Sequence, residues 1–308
     1  MRFEHRPVML GEIVDLLSTV PEGVYLDATL GGAGHAAAVL DAAPQLVLVG
    51  LDQDPAAIEA GQARLARFGT RARVVRSRFD RAGRVLDGLG VDRLAAALFD
   101  LGVSSPQLDQ PERGFSYRQE AALDMRMDPD APLGAADVVN GWDERELTRL
   151  FREHGEARFA RRIARRLVEA RPVASTTELA EIVRSAIPAA ARRTGGHPAR
   201  RVFQAIRVAV NDELAILPGA LDQILRRLQP GGRLAVLAYH SGEDRIVKER
   251  FRWAATGGCQ CPPDLPCGCG ASPTVRLLTR GAVRPSEQEI ATNHRAESAR
   301  LRAVEGLP

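Results

Sequence analysis

The stretch Tyr25-Leu-Asp-Ala-Thr-Leu-Gly-Gly-Ala-Gly-His35 constrains this chain more than any other. An apolar run ends in Asp27, turns through Gly31, Gly32 and Gly34, and enters an alanine-rich segment of helical character. A second apolar run, residues 46–51, ends in another acid, Asp52. Strand, tight turn, helix and strand in that order open a nucleotide-type cofactor site, in which ligands approach the carboxyl ends of parallel strands. A carboxylate closing the second strand suits a ribose diol. No Lys or Arg stands in the turn to meet a phosphate.

The alternation continues on both sides of this unit. Helical periodicity over 11–20 precedes a first strand at 24–26, and residues 36–41 begin the helix after the turn. Residues 55–68 are amphipathic, with Asp54 as N-cap and Pro55 at the first helical position. Residues 73–76 and 94–99 supply two more strands, the latter ending at Asp100. Short, continuous apolar runs read as parallel strands buried on both faces, and their spacing implies a doubly wound, Rossmann-like α/β sheet.

After Asp100 the pattern breaks. Residues 102–132 carry loop signals, and helices are expected over 144–153, 157–170 and 177–187, with Asp143 and Thr176 as N-caps. A long helical stretch from 198 to 228, broken at Pro218, returns the chain to a fifth strand after Pro230-Gly-Gly. Residues 274–279 read as a further strand, and Ser286 with Glu289 as a capping box. The expected organisation is a discontinuous sheet domain, residues 1–107 and 208–308, interrupted by an all-helical insertion, residues 108–207.

With 45% hydrophobic and 26% charged residues the composition is that of a soluble globular protein. No apolar run approaches the roughly 20 residues that cross a bilayer. Arg2, Glu4, His5 and Arg6 replace the apolar core of a signal peptide. A cytoplasmic protein without a membrane partner is expected. The net charge of +3 conceals an asymmetry. Residues 145–207 hold 15 Arg, 6 Glu and no Asp, a local +9, which leaves −6 for the rest. Such a segment either faces a polyanion or presents solvated helix faces.

All four cysteines, Cys259, Cys261, Cys267 and Cys269, fall within eleven residues of a Pro- and Gly-rich segment, 257–273. Their absence elsewhere argues against a general disulfide framework. A tetrahedral zinc site, reversible disulfides and an unliganded loop all remain open. The usual zinc knuckle has two residues between paired cysteines, and here there is one.

The glycine spacing separates the cofactors. A pyrophosphate asks for a GxGxxG turn at a helix N-terminus. Gly31-Gly32-Ala33-Gly34 does not fit that pattern. S-adenosylmethionine has no phosphate and needs close backbone approach, an acid for the diol and a partner for the adenine. Asp52 and Phe79 suit the last two roles, which favours a methyltransferase over a dehydrogenase.

Seven ordered motifs extend the argument across the chain. They are His5-Arg-Pro-Val-Met-Leu10, Asp27-Ala-Thr-Leu-Gly31, Asp100-Leu-Gly-Val-Ser-Ser-Pro-Gln107, Arg201-Val-Phe-Gln-Ala-Ile-Arg207, Val210-Asn-Asp-Glu-Leu214, His240-Ser-Gly-Glu-Asp-Arg-Ile-Val-Lys248 and residues 293–302. Together they resemble the ribosomal RNA small subunit methyltransferase H family. The resemblance implies a class I methyltransferase sheet with an inserted helical domain. It implies transfer of a methyl group from S-adenosylmethionine to the exocyclic N4 of a cytidine in the decoding centre of 16S ribosomal RNA. Implied partners are that RNA or the small ribosomal subunit, with the oligomeric state open, a homodimer included. Implied cofactor contacts are Ala33, Gly34, His35, Asp52, Phe79, Asp100 and Gln107. No metal is implied. Two departures stand out: Ala33 where a glycine is usual, and Gly242 where a leucine is common. An alanine costs little there if φ is negative and is strained if φ is positive.

The chemistry implied is weakly nucleophilic, because the N4 lone pair is delocalised into the cytosine ring. An acceptor on the amino group helps to localise it, and positioning carries most of the rate. Asp100 is the candidate acceptor, with cofactor binding as its competing role. His240 and Ser241 are candidates for the cytidine pocket, His240 having a structural alternative. The base must be unpaired or turned out of its stack, and Phe115, Tyr117 and Tyr239 are either its stacking partners or core. Arg161, Arg162, Arg165 and Arg166, with Arg200, Arg201 and Arg207, are the candidate phosphate contacts. The different-class alternative is an RNA- or ribosome-binding protein that kept the fold and lost catalysis.

Overall fold

The computed structural model describes residues 7–104, 107, 110–192, 197–262 and 268–308. His5, Ser105, Pro106 and Cys267 therefore lie outside the described residues. Those described form a sheet of seven strands: β1 (Gly23–Asp27), β2 (Leu46–Asp52), β3 (Ala72–Arg76), β4 (Leu94–Asp100), β5 (Leu228–Ala238), β6 (Val275–Leu277) and β7 (Arg300–Gly306). Their order is β3-β2-β1-β4-β5-β7-β6. β1 to β5 run parallel, while β7 is antiparallel to β5 and β6 to β7. The direction of winding reverses between β1 and β4, which makes their carboxyl ends the topological switch point.

The sheet has this form because its strands bury both faces. Every residue of β4 before Asp100 is buried. Alternate residues enter two cores. Tyr25, Leu48, Ala96, Leu98, Ala235 and Leu237 face the helices Leu10–Leu17 and Gly34–Ala42. Leu26, Val49, Leu51, Ala97, Phe99 and Val236 face the helices Ala82–Gly88, Glu213–Leu225 and Ser241–Thr256. Each large aliphatic side chain removed from water in this way contributes about 1.5–3 kcal/mol.

The chain divides into two compact units, residues 1–102 with 214–308, and residues 103–213. The second unit has its own core, built by Leu147, Leu150 and Phe151 of Glu144–His154, Ile163 and Leu167 of Ala160–Glu169, Leu179 and Val183 of Thr176–Ala186, and Val202, Phe203 and Ile206 of Ala199–Asn211.

Several expectations are corrected. The cap of Thr176–Ala186 is Ser175, whose hydroxyl accepts from Glu178 N at 3.3 Å. Thr176 is occupied elsewhere, donating to Gln119 O at 2.6 Å and accepting from Ala121 N at 3.0 Å. The long helical stretch breaks at Asp212, in the left-handed region at φ +54°, and not at Pro218, which lies inside Glu213–Leu225. The break is held by Asn211, whose side chain bonds Met125 O, Arg207 O and Met127 N. Glu289 does not close a capping box with Ser286, because its carboxylate accepts from Met9 N at 2.6 Å. The sixth strand is shorter than 274–279, at Val275–Leu277.

Candidate active site

Asp27, Asp52 and Asp100 end β1, β2 and β4 on one edge of the sheet. Asp52 Oδ2 accepts from Gly31 N at 2.8 Å and Oδ1 from Asp54 N at 2.9 Å. The carboxylate thus ties the glycine turn to the second strand and keeps further lone pairs for a ligand. Burial, its largest influence, raises its pKa against the pull of these backbone donors. A Cβ added to Gly31 or Gly32 would meet no other heavy atom within 4 Å, so the turn presents an open face. Gly31 itself needs its freedom, at φ +50°.

Ala33 is the N-cap of Gly34–Ala42 at φ +56°, ψ +31°, and is fully buried. It is therefore the strained case, at about 1–2 kcal/mol for a left-handed L-residue. Its amide still donates to Leu30 O at 2.8 Å. Gly34 is required by contact, since a Cβ there would fall 2.4 Å from Pro7 Cγ. The same point lies 3.4 Å from the guanidinium of the exposed Arg64. The turn's own residues are free of cations, but the space beside Gly34 is not.

Asp100 is the most connected of the acids. Its amide donates to Thr29 Oγ1 at 2.6 Å, and Tyr239 donates its hydroxyl to Asp100 Oδ1 at 2.7 Å. Oδ2 lies 3.5 Å from His35 Nδ1. His35 Nε2 sits 2.9 Å from Val8 O, which only accepts, so this nitrogen carries a proton. The Asp100 side chain keeps 27% exposure, so a ligand can reach it. Behind it, Asp27 is 2% exposed. It accepts from Tyr25 Oη at 3.3 Å and Thr29 N at 3.2 Å. Burial, with the charges of Asp100 and Asp52, pushes its pKa to about 7. Burial and Asp100 also raise the Tyr239 phenol. Three carboxylates so placed favour a cationic ligand.

His240 is the N-cap of Ser241–Thr256. Its Nδ1 accepts from Gly242 N at 3.2 Å and Glu243 N at 3.4 Å, and Nε2 lies 3.1 Å from Glu243 Oε1 without hydrogen-bond alignment. Glu243, 2% exposed, returns the bond by accepting from Tyr239 N and His240 N. The ring thus has a structural role at the end of β5. Gly242 allows it, because a Cβ there would stand 3.1 Å from both the His240 ring and Leu214. Ser241 is exposed. Phe79 packs edge-on against Phe99, centroids 5.8 Å apart. Gln107, buried in the second unit, accepts from Ser104 N at 3.0 Å.

Among the aromatic residues, Phe115 is core, and Tyr117 stacks on His197 at 4.5 Å. Arg161, Arg162, Arg165 and Arg166 all lie exposed on Ala160–Glu169. Arg161 pairs with Glu144, and Arg165 and Arg166 with Glu169. Arg201 pairs with Glu156, and Arg207 is committed to Glu213 at 2.8 Å. Sequence reasoning missed Thr29, the Tyr239–Asp100 bond and Glu243. Only the last has a local signal, an acid three residues after a cap.

Residues 2–307 match the MraW methylase family. The chain is 53% identical to the ribosomal RNA small subunit methyltransferase H of Symbiobacterium thermophilum, over 99% of this chain and 97% of that one. It is 50% identical to the protein of the same name from Heliobacterium mobile and 52% to that from Geobacter sulfurreducens, over the full length of each.

Proposed function

The chain belongs to the MraW methylase family, and from that premise we propose that it transfers a methyl group from S-adenosylmethionine to the exocyclic N4 of a cytidine in small-subunit ribosomal RNA. The names of its relatives support an RNA of the small subunit as substrate. The observation that carries the cofactor assignment is the group of acids around an open glycine turn. Asp52 stands tied to Gly31, with Asp100 and Asp27 at neighbouring strand ends. Their negative charge suits a sulfonium and an ammonium, and Asp52 suits a diol. When bound, the cofactor supplies an electrophilic methyl group.

In this reading Ala33, Gly34 and His35 line the turn, Asp52 would hold the ribose and Phe79 would border the adenine, and Gln107 is a further expected contact. Tyr239 and Thr29 fix Asp100, whose carboxylate accepts a hydrogen bond from the cytosine amino group. That bond localises the nitrogen lone pair. The ammonium formed by attack is acidic enough to lose its proton to water or to Asp100, so no strong base is needed. His240 orients the start of Ser241–Thr256 and leaves Ser241 open toward the base. The exposed arginines of Ala160–Glu169 hold phosphates and position the RNA without reading its sequence. Calorimetry with S-adenosylmethionine tests the assignment. Binding weakened at least about tenfold by Asp52→Asn is expected, whereas no binding by the parent chain favours an RNA-binding protein without catalysis.

A further inference from the structure

The cysteine-rich segment plays no part in the site above, yet three of its sulfurs, all on described residues, converge. The helix Ser241–Thr256 ends at two left-handed glycines, Gly257 at φ +60° and Gly258 at φ +74°. Gly258 N donates to Trp253 O at 2.9 Å, and Cys259 N to Thr256 O at 3.1 Å. The returning arm closes on the same turn. Thr274 N donates to Ala254 O at 3.0 Å, and a Cβ on Gly257 would fall 2.5 Å from the Ser272 backbone. This base brings Cys259 and Cys261 on one arm against Cys269 on the other. Their Sγ atoms all lie within 4.8 Å of one another. Cys261 N also donates to Cys259 Sγ at 3.4 Å, a bond that favours a sulfur carrying negative charge.

Residues 257–274 contain a single large aliphatic residue, a composition that offers little apolar area to bury. We propose that Cys259, Cys261 and Cys269 bind a zinc ion that staples this loop. Zn–S bonds of about 2.3 Å set a tetrahedral S···S edge of about 3.8 Å, inside the 4.8 Å within which the three sulfurs already lie. Sulfur donors select a soft or borderline ion and reject magnesium and calcium. A further donor completes the tetrahedron. Cys259 and Cys261 are half-buried and Cys269 is exposed, so the ion is within reach of a chelator.

The test uses the full chain, purified under reducing conditions without chelator. Elemental analysis should find about one zinc per chain. Replacement by Co(II) should give a strong thiolate-to-metal charge-transfer band with tetrahedral d–d absorption. The triple variant Cys259→Ser, Cys261→Ser, Cys269→Ser should lose both while keeping S-adenosylmethionine affinity. If that variant does not fold, Co(II) titration of the parent chain reads the coordination directly. A reduced parent chain that takes up neither ion overturns the proposal. So does a charge-transfer band that survives in the triple variant, or the visible absorption of an iron–sulfur cluster.

Discussion

Replacing Asp27 by Asn should make the protein more stable above neutral pH, and the size of the gain follows from its surroundings. The carboxyl is 2% exposed, and its pKa rises from 3.8 to about 7. Burial is the largest cause, reinforced by Asp100 and Asp52, while the Thr29 amide and Tyr25 hydroxyl pull less strongly the other way. A carboxyl whose folded pKa exceeds its unfolded pKa binds its extra proton in the folded chain. Stability from this group is therefore present in full below pH 3.8 and is lost as pH rises through about 7. At about 1.4 kcal/mol per unit, Asp27 costs about 4 kcal/mol at pH 8, where it is largely ionised, and about 2 kcal/mol at pH 5, where it must take up a proton on folding. Asn mimics the neutral acid, with its carbonyl accepting from Thr29 N and its amide donating to Tyr25 Oη. Urea unfolding of Asp27→Asn and parent chain, without cofactor, should show an advantage for the variant that shrinks by roughly half between these two pH values. An equal increment at both, or a loss at pH 8, would refute the burial argument. A cationic ligand beside Asp27 should reverse the balance, so the same variant should bind S-adenosylmethionine less tightly at pH 8.

Three further outcomes follow from named contacts. Tyr239→Phe removes the 2.7 Å bond to Asp100, and at about 1.5–3 kcal/mol for a charged acceptor, single-turnover methyl transfer should slow roughly tenfold to a hundredfold. Glu243→Ala strands the amides of Tyr239 and His240 and should cost about 2–4 kcal/mol in urea unfolding, with Glu243→Gln costing less because it keeps an acceptor. Reversing Arg161, Arg162, Arg165 and Arg166 together to Glu should weaken RNA binding strongly and flatten its salt dependence by up to about 3–4 in log–log slope. Unchanged affinity would remove this helix from the RNA surface.

The parallel strands were legible because a strand buried on both faces writes itself as an unbroken apolar run, as in β4. β7 was not, because Arg300 and Arg302 interrupt it. Both guanidiniums pair with the single carboxylate of Asp244, at 3.1 Å and 2.7 Å, from a distant helix. The break at Asp212 was hidden for a similar reason. Proline is a visible breaker, whereas the bonds that stop the helix come from Asn211 to Met125 and Met127, more than 80 residues away. In the candidate site the acids at the strand ends could be read from the chain, since each follows its own apolar run. The hydroxyls that orient them could not. Tyr239 reaches Asp100 only through the pairing of β4 with β5, where Asp100 lies opposite Leu237. Tyr25 and Asp27, two apart on one strand, share a face and were readable in principle.

The reaction proposed is the transfer of a methyl group to one cytidine. It is tested most directly by incubating the protein with tritium-methyl S-adenosylmethionine and small subunits from a strain lacking the protein, then mapping the labelled nucleoside. Label is expected in a single N4-methylated cytidine. Label on carbon or on another base, or none in subunits and naked RNA alike, would contradict it.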